Sequence, residues 1–265
     1  GVQFYERGIA GLREAGDIAA RQSAMFQMAL CQLYSGDIAG SDETCSQILA
    51  DSDQIGEAWV KAYALWISGI IQWRRGNLER ARTFAAAALQ IQQVFRDRIC
   101  TAHVLLLAAR LVLAAGKLQG AAQVQGATDA LWVALGTGID AFGPGLAGEA
   151  AQTRRRILHR LTPEEAEALI AASADIDVPA AIELGLSELA GLNFAGTAGV
   201  GLTARETEVG ELVAEGLSNR QIAARLCIST RTVDGHVERI LQKFGATCRA
   251  QAAVLMREAR ASSQQ

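Results

Sequence analysis

Apolar residues recur along the first half of the chain at the spacing of amphipathic α-helices. The clearest run has steps of three or four residues and comprises Trp59, Tyr63, Trp66, Ile70 and Trp73. Such spacing places all five side chains on one face of a helix. The three tryptophans could line an aromatic ligand groove, but we interpret them as core residues that pack between stacked helices.

A repeat with a period of about 40 residues organises this helical pattern. Gly36, Gly76 and Gly116 are equally spaced, and each has a large apolar residue three positions before it and another two positions after it. A glycine at such a junction supplies the left-handed conformation that ends a helix. The repeat therefore predicts an all-α protein in which helix pairs, longer than those of a tetratricopeptide repeat, stack as a TPR-like α-solenoid over residues 1–189.

Beyond Leu135 the repeat fades, and three further helices are predicted at about residues 146–161, 163–173 and 179–189. The second of these begins with Thr162, Pro163 and Glu165, a threonine cap and a glutamate that together predict a capping box. Residues 190–201 contain four glycines and no charge, which is typical of a flexible linker. Residues 202–265 are predicted to form a separate domain.

Composition and net charge argue against two classes of protein, a β-sandwich and a nucleic-acid-binding protein that is basic throughout. Three prolines and fourteen aromatic residues among 265 do not favour a β-sandwich. The net charge is −3, although residues 200–265 contain nine basic and seven acidic residues. Any affinity for nucleic acid must therefore be local.

Cysteine usage and hydropathy predict a cytoplasmic protein without a membrane segment. The five cysteines are far apart and form no C-x-x-C pair, which favours free thiols in a reducing compartment and no metal site. The longest apolar run, residues 104–115, is interrupted by Arg110 and is too short to span a bilayer. Because the first residue is Gly1, we expect the chain to be part of a longer protein.

The C-terminal segment predicts a helix-turn-helix. Thr203 with Glu206 and Ser218 with Gln221 have the spacing of capping boxes, and Ser229 precedes a third helix. The apolar positions of that helix share one side and are Val233, Val237, Ile240, Leu241 and Phe244. In a helix-turn-helix, the second of two short helices enters the major groove of DNA with its N-terminal half.

The face of this helix opposite its apolar side is predicted to contact DNA. The candidates for base readout are Arg231, Asp234, Gly235, Glu238 and Gln242. Hydroxyl, amide and basic residues near the helix N-termini are the candidates for phosphate contacts. They are Thr203, Ser218, Asn219, Arg220, Ser229, Thr230, Thr232, Lys243 and Arg249.

This segment resembles the LuxR/FixJ-type DNA-binding domain, a four-helix module. The matching residues are Leu202-Thr203, Arg205-Glu206, Glu208-Val209, Gly216, Ser218-Asn219, Ile222-Ala223, Leu226, Ile228-Ser229, Thr232-Val233, His236-Val237, Ile240-Leu241, Lys243, Gly245, Arg249 and Ala252-Ala253. The resemblance implies a bacterial transcriptional regulator that binds double-stranded DNA as a homodimer. It also implies dimer contacts from the fourth helix, through Ala252, Ala253 and Met256.

The repeats are similar to those of MalT-type regulators, large proteins in which an ATPase domain precedes the repeats and a LuxR-type module ends the chain. This resemblance implies that the repeats sense a protein or small-molecule inducer. The chain contains no G-x-x-x-x-G-K-[ST] loop and no catalytic constellation, so we expect neither an enzyme nor a cofactor here. An interaction scaffold that binds DNA weakly is the alternative, because Asp234 and Glu238 are acidic.

Other motifs have simpler interpretations. A G-x-G-x-x-G match at residues 143–148 has no strand before it, so we interpret it as a loop between helices. His103 is predicted to be a core histidine, and His236 is predicted to be an orienting or packing residue of the module rather than a general base. Cys227 is predicted to be a small buried residue in the turn.

Overall fold

The computed structural model describes residues 1–173, 175–192, 194, 204–244, 246 and 248–262. Within these residues the chain forms α-helices and one short 3₁₀ helix, and no strand. The prediction of an all-α protein is confirmed. The chain divides into two compact units: residues 1–71 and 78–194 form the first, and the last four helices belong to the second.

Ten α-helices lie in the part of the structure described up to residue 192. They are α1 (Val2–Glu14), α2 (Ile18–Ser35), α3 (Ile38–Ile55), α4 (Trp59–Arg74), α5 (Leu78–Phe95), α6 (Arg98–Ala114), α7 (Leu118–Ala134), α8 (Pro144–Leu158), α9 (Pro163–Ala171) and α10 (Val178–Ala190), with the 3₁₀ helix at Ile139–Phe142. The capping box predicted at Thr162 is present, with both of its reciprocal hydrogen bonds. None of the helices in the described ranges combines the length and the hydropathy that a bilayer span requires.

Left-handed residues follow the first seven helices at a constant interval, half that of the repeat seen in the sequence. They are Gly16, Gly36, Gly56, Gly76, Arg96, Gly116 and Gly136, with φ between +53° and +94°. The three glycines identified from the sequence are therefore alternate members of a finer series. Each full repeat of about 40 residues therefore consists of two shorter segments, and each segment is one helix followed by one tight turn.

Helix α2 packs against its neighbours α1 and α3, and α6 packs against α5 and α7. The end of the first unit departs from a simple stack of such neighbours. Helix α10 packs against α5, α6 and α7. A side chain at Gly185 would approach Leu105 and Leu89 within 3 Å, so the glycine permits close packing there. Most of α6 is buried as a result, from Cys100 to Leu113.

Arg110, which interrupts the apolar run of α6, has a buried ionic partner. Its Nη1 donates to Glu149 Oε2 at 2.6 Å, and the hydroxyl of Tyr34 donates to the same oxygen at 3.2 Å. The two contacts connect α6 and α2 to α8. Burying a charge inside a helical core requires such pairing. Beside this pair, Gly145 of the G-x-G-x-x-G match packs against the Tyr34 ring.

His103 is a core residue, as predicted. It is 3% exposed, and its ring contacts those of Trp66, Trp132 and Phe142 at centroid distances of 4.5, 5.2 and 4.7 Å. Burial is the main cause that lowers the pKa of His103 to about 4. Trp66 is 2% exposed, which confirms its core role. Trp59 and Trp73 are half-buried.

Candidate nucleic-acid interface

The second unit builds a helix-turn-helix from short helices with local caps. It contains α11 (Ala204–Ala214), α12 (Asn219–Leu226), α13 (Thr230–Phe244) and α14 (Arg249–Ser262). Helix α11 packs on α13 and α14, and α12 packs on α13. The apolar positions predicted to face inward are buried at Val209, Leu212, Val213, Ile222, Ala223, Val233, Val237 and Ile240.

The caps of α12 and α13 leave both helix N-termini exposed. Ser218 and Gln221 form the predicted capping box. The backbone amide of Thr232 donates to Ser229 Oγ at 3.0 Å, which confirms Ser229 as a cap. Thr203, the predicted cap of α11 and a predicted phosphate contact, lies outside the described residues.

The turn between α12 and α13 differs from its prediction at Cys227. This residue ends α12 in the left-handed conformation, with φ +53°. Its side chain is exposed rather than buried, because the residue lies beyond the last turn that packs on α13. The prediction of a small buried residue was wrong.

The outer face of α13 carries most of the residues predicted to read bases. Arg231, Asp234 and Glu238 are exposed and Gly235 is half-buried, whereas Val233 and Val237 between them are buried. The side chain of Gln242 lies outside the described residues. Ser218, Arg220, Ser229, Thr230 and Thr232 are also exposed. An amphipathic helix with this exposed face, preceded by a short capped helix, has the geometry of a recognition helix.

Asn219 and Arg249 connect three helices instead of standing free. Arg249 donates from Nη1 to Asn219 Oδ1 at 2.5 Å and from Nη2 to the carbonyl oxygen of Leu217. Asn219 in turn donates from Nδ2 to Asp234 Oδ1 at 2.6 Å. Desolvation lowers the pKa of the Arg249 guanidinium. Arg249 thus holds the start of α12 against α14 and α13.

Lys243 also has an internal partner. Its Nζ donates to Glu206 Oε2 at 2.6 Å, and that carboxylate is only 4% exposed. Arg239 Nε approaches the other oxygen of Glu206 at 3.9 Å, although its side chain is 55% exposed. Two predicted phosphate contacts, Lys243 and Arg249, therefore use their charge inside the module. The face of α13 formed by Arg231, Asp234, Gly235 and Glu238 is called the reading face below. The sequence analysis did not identify Arg239, an exposed cation beside this face.

Helix α14 presents a different face from the one predicted to make dimer contacts. Ala252, Ala253 and Met256 are 1%, 8% and 6% exposed. Their burial within a single chain contradicts the assignment of these three residues to a dimer surface, because α14 packs on α11 and α13. Among the α14 side chains that the structure describes, the exposed ones are Ala250, Val254 and Arg257, which follow one another at helical spacing.

The described part of the chain contains no group of three His, Cys, Asp or Glu residues that could hold a metal ion. His236 is half-buried, and its Nδ1 lies 3.4 Å from Arg239 Nη2. This contact is with a guanidinium group and places no nucleophile beside the imidazole. The chemistry that this surface supports is recognition by hydrogen bonds and charge.

Comparison with known proteins assigns the module. Residues 200–256 match the family model "Bacterial regulatory proteins, luxR family". The transcriptional regulatory protein DegU of Brevibacillus brevis is 51% identical over 53 residues, which are 20% of this chain and 22% of that protein. The DNA-binding transcriptional activator DevR/DosR of Mycobacterium tuberculosis (strain ATCC 25618 / H37Rv) is 44% identical over 62 residues, 23% of this chain and 29% of that protein.

A third relative matches a segment of similar length. The nitrate/nitrite response regulator protein NarL of Escherichia coli (strain K12) is 42% identical over 59 residues, 22% of this chain and 27% of that protein. The chain thus spans under a third of the length of the curated relatives it matches. No solved structure matches it. The fold, the exposed recognition helix and these matches together show that the chain carries a helix-turn-helix module of the luxR family of bacterial regulatory proteins.

Proposed function

We propose that this protein is a DNA-binding regulator of bacterial transcription whose helix α13 reads the major groove. The observation that carries the proposal is the division of α13 into two faces. Val233, Val237 and Ile240 are buried, whereas Arg231, Asp234 and Glu238 are exposed. A helix of this kind can place its N-terminal side chains against base edges without unfolding the module.

Phosphate contacts come from the exposed N-termini of α12 and α13. Ser218, Ser229, Thr230 and Thr232 offer hydroxyl and backbone donors there, while Arg220 and Arg231 add exposed positive charge. The positive ends of helix dipoles attract anions. Asn219, Lys243 and Arg249 position these elements in the proposed complex, because their polar atoms are engaged within the module.

Selection of bound sequences from a random DNA library tests the proposal. We expect an enriched motif with the full chain and a weaker, unspecific output with an Arg231→Ala variant, since a charge on the reading face is lost. A matched control is Arg225→Ala, which removes an exposed arginine of α12 near Glu215. Failure of the parent chain to enrich any sequence would reject a sequence-specific regulator.

An interaction scaffold is the second candidate. Asp234 and Glu238 give the reading face two carboxylates, and Lys243 and Arg249 are engaged internally. Carboxylates repel phosphate and can accept hydrogen bonds only from base donors such as the cytosine amino group. The same library selection distinguishes the two candidates, because a scaffold enriches no motif.

We further infer that the module pairs on DNA through the exposed face of α14. Ala250, Val254 and Arg257 form this face, in place of the buried residues predicted from the sequence. Two linked contacts strengthen binding because the second becomes intramolecular. We expect two copies per cognate duplex by native mass measurement and one copy for Val254→Asp.

The remaining organisation is proposed on the sequence pattern. Residues 1–189 form a TPR-like repeat domain that senses a protein or small-molecule inducer, residues 190–201 connect it to the module at 202–265, and the protein acts in the cytoplasm. This arrangement is supported by the division of the chain into two compact units. Limited proteolysis tests it: early cleavage within 190–201 is expected, and early cleavage within α10 would contradict it.

A further inference from the structure

A cavity of about 680 Å³ lies in the first unit between α7, the end of α8 and α9. Its size is within the range of small-molecule sites. The apolar lining includes Val133 and Leu158, which are 79% and 38% exposed. Exposed large apolar side chains around a concavity are typical of a binding site rather than of ordinary surface.

The helices that form the cavity are held close together at one place. A side chain at Gly126 of α7 would lie 3.1 Å from Cα and 3.2 Å from the carbonyl oxygen of Ile170 in α9. The glycine thus brings α7 against the backbone of α9. This contact fixes one side of the cavity, because the backbone there cannot move aside as a flexible side chain can.

Polar groups at the cavity are acceptors. The lining contains two carboxylates, Asp129 and Glu167, and no basic residue. Asp129 pairs with Arg154 and accepts from Gln125 Nε2 at 2.9 Å. Glu167 is exposed and makes no contact of this kind within the described residues. Because Arg154 offsets the charge of Asp129, Glu167 is the carboxylate that would favour a ligand's cationic or hydrogen-bond-donating group over an anion.

We propose that this cavity binds a small hydrophobic amine, with its apolar body between α7 and α9 and its ammonium group toward Glu167. The inference goes beyond the DNA-binding function and does not depend on it. It supplies the ligand class for a sensing first unit. Binding to the cavity can be measured without DNA, so its failure would leave the proposed function of the module intact.

Calorimetric titration of the full chain with 4-phenylbutylamine tests the proposal. We expect saturable binding at one site, and affinity at least about tenfold weaker for 4-phenylbutyrate, which has the same apolar body and the opposite charge. Equal affinity for the amine and the carboxylate, or no binding of the amine at millimolar concentration, would overturn the proposal.

Two variants locate the site. Ala171→Trp should fill the cavity mouth and abolish binding of the amine, while Ala168→Trp, on the same helix but outside the lining, should not. Glu167→Gln should weaken the amine about three- to tenfold, and Glu164→Gln should leave its affinity unchanged. Unchanged affinity in both Ala171→Trp and Glu167→Gln would overturn the site. A dimer that Ala171→Trp dissociates would assign the cavity to a second copy instead.

Discussion

Asn219 donates a 2.6 Å hydrogen bond to Asp234 and accepts one of 2.5 Å from Arg249. The residue at the start of α12 therefore sets the position of a residue on the reading face of α13. Its amide is half-buried, and both of its functional atoms are used. The relationship makes Asn219 a positioning residue of the helix-turn-helix.

Asn219→Ala should lower the local stability of the module by about 1–2 kcal/mol, because two charge-assisted hydrogen bonds are lost and Arg249 keeps only its carbonyl partner. Hydrogen exchange of the α12 and α13 amides in the full chain would measure this. Arg225→Ala is the control, since its exposed ion pair with Glu215 at 3.7 Å contributes well under about 1 kcal/mol. Equal effects of the two variants would contradict the role of Asn219.

Basic residues of the module should separate into two groups in their response to salt. Arg220→Ala, at an exposed predicted phosphate contact, should reduce the slope of log affinity against log salt by about 0.9, because one phosphate interaction is lost. Lys243→Gln should leave the slope unchanged and instead lower stability by about 1–2 kcal/mol, because the buried carboxylate of Glu206 loses its 2.6 Å ion pair with Lys243. Fluorescence anisotropy of labelled DNA at several salt concentrations would measure both slopes. A reduced slope for Lys243→Gln would contradict the internal role of Lys243.

Glu238→Gln should tighten binding to random DNA, because it removes a charge that repels phosphate. Binding to the enriched sequence should change less, or weaken by about 1–3 kcal/mol if Glu238 accepts from a cytosine. Titrations of random DNA and of the enriched sequence at two salt concentrations would measure both changes in affinity. Glu211→Gln on α11, also exposed, controls for net charge, and equal tightening on both DNAs would mean that Glu238 reads no base.

The left-handed turns should respond to substitution according to their backbone angle. Gly36→Ala, at φ +94° in open space, should destabilise the first unit by about 1–2 kcal/mol. Gly8→Ala, inside α1 and also in open space, should stabilise it by about 0.5–1 kcal/mol. Arg96→Gly, at φ +53°, should be stabilising. Thermal unfolding would test the three signs, and destabilisation by Arg96→Gly would be the contrary result.

His103 should make the first unit sensitive to acid. Its pKa is about 4 in the folded chain and about 6.5 when unfolded, so between these values the unfolded state binds the extra proton. The contribution of neutral His103 to the free energy of unfolding is therefore fully present above about pH 6.5 and is lost as the pH falls toward 4. The free energy of unfolding should decrease by about 2 kcal/mol between pH 7 and pH 5. Urea unfolding at both pH values should show a smaller loss in His103→Phe. The exposed His159→Phe should keep the full loss.

Local signals in the sequence were sufficient for caps and for the inner faces of helices. The boxes at Thr162 and Ser218 each depend on residues three positions apart, and helical spacing identified Val233 and Val237. The partners of Lys243 and Arg249 are 37 and 30 residues away. Spacing along one helix carries no information about such distant partners, so both cations were assigned to DNA.

The same limit explains another difference. The small apolar face of α14 was assigned to a second chain, but an apolar stripe does not specify whether its cover comes from the same chain or from another.

The finer series of left-handed turns was seen only at every second member. Gly16, Gly56 and Gly136 lie at the same interval and could have been included. At Arg96 the left-handed conformation is adopted without glycine, so the residue type gives no indication of that member.

The regular placement of left-handed turns restricts how such a protein can change in length. A tight turn between two helices that pack together reverses the direction of the chain. Removing one helix and its turn between α6 and α10 would therefore reverse α10 relative to α6, against which it packs, and removing two would restore its direction. We therefore expect natural length variants between α6 and α10 to differ by pairs of helices with their turns, whereas the loss of α1 alone would leave the packing around α6 unaltered.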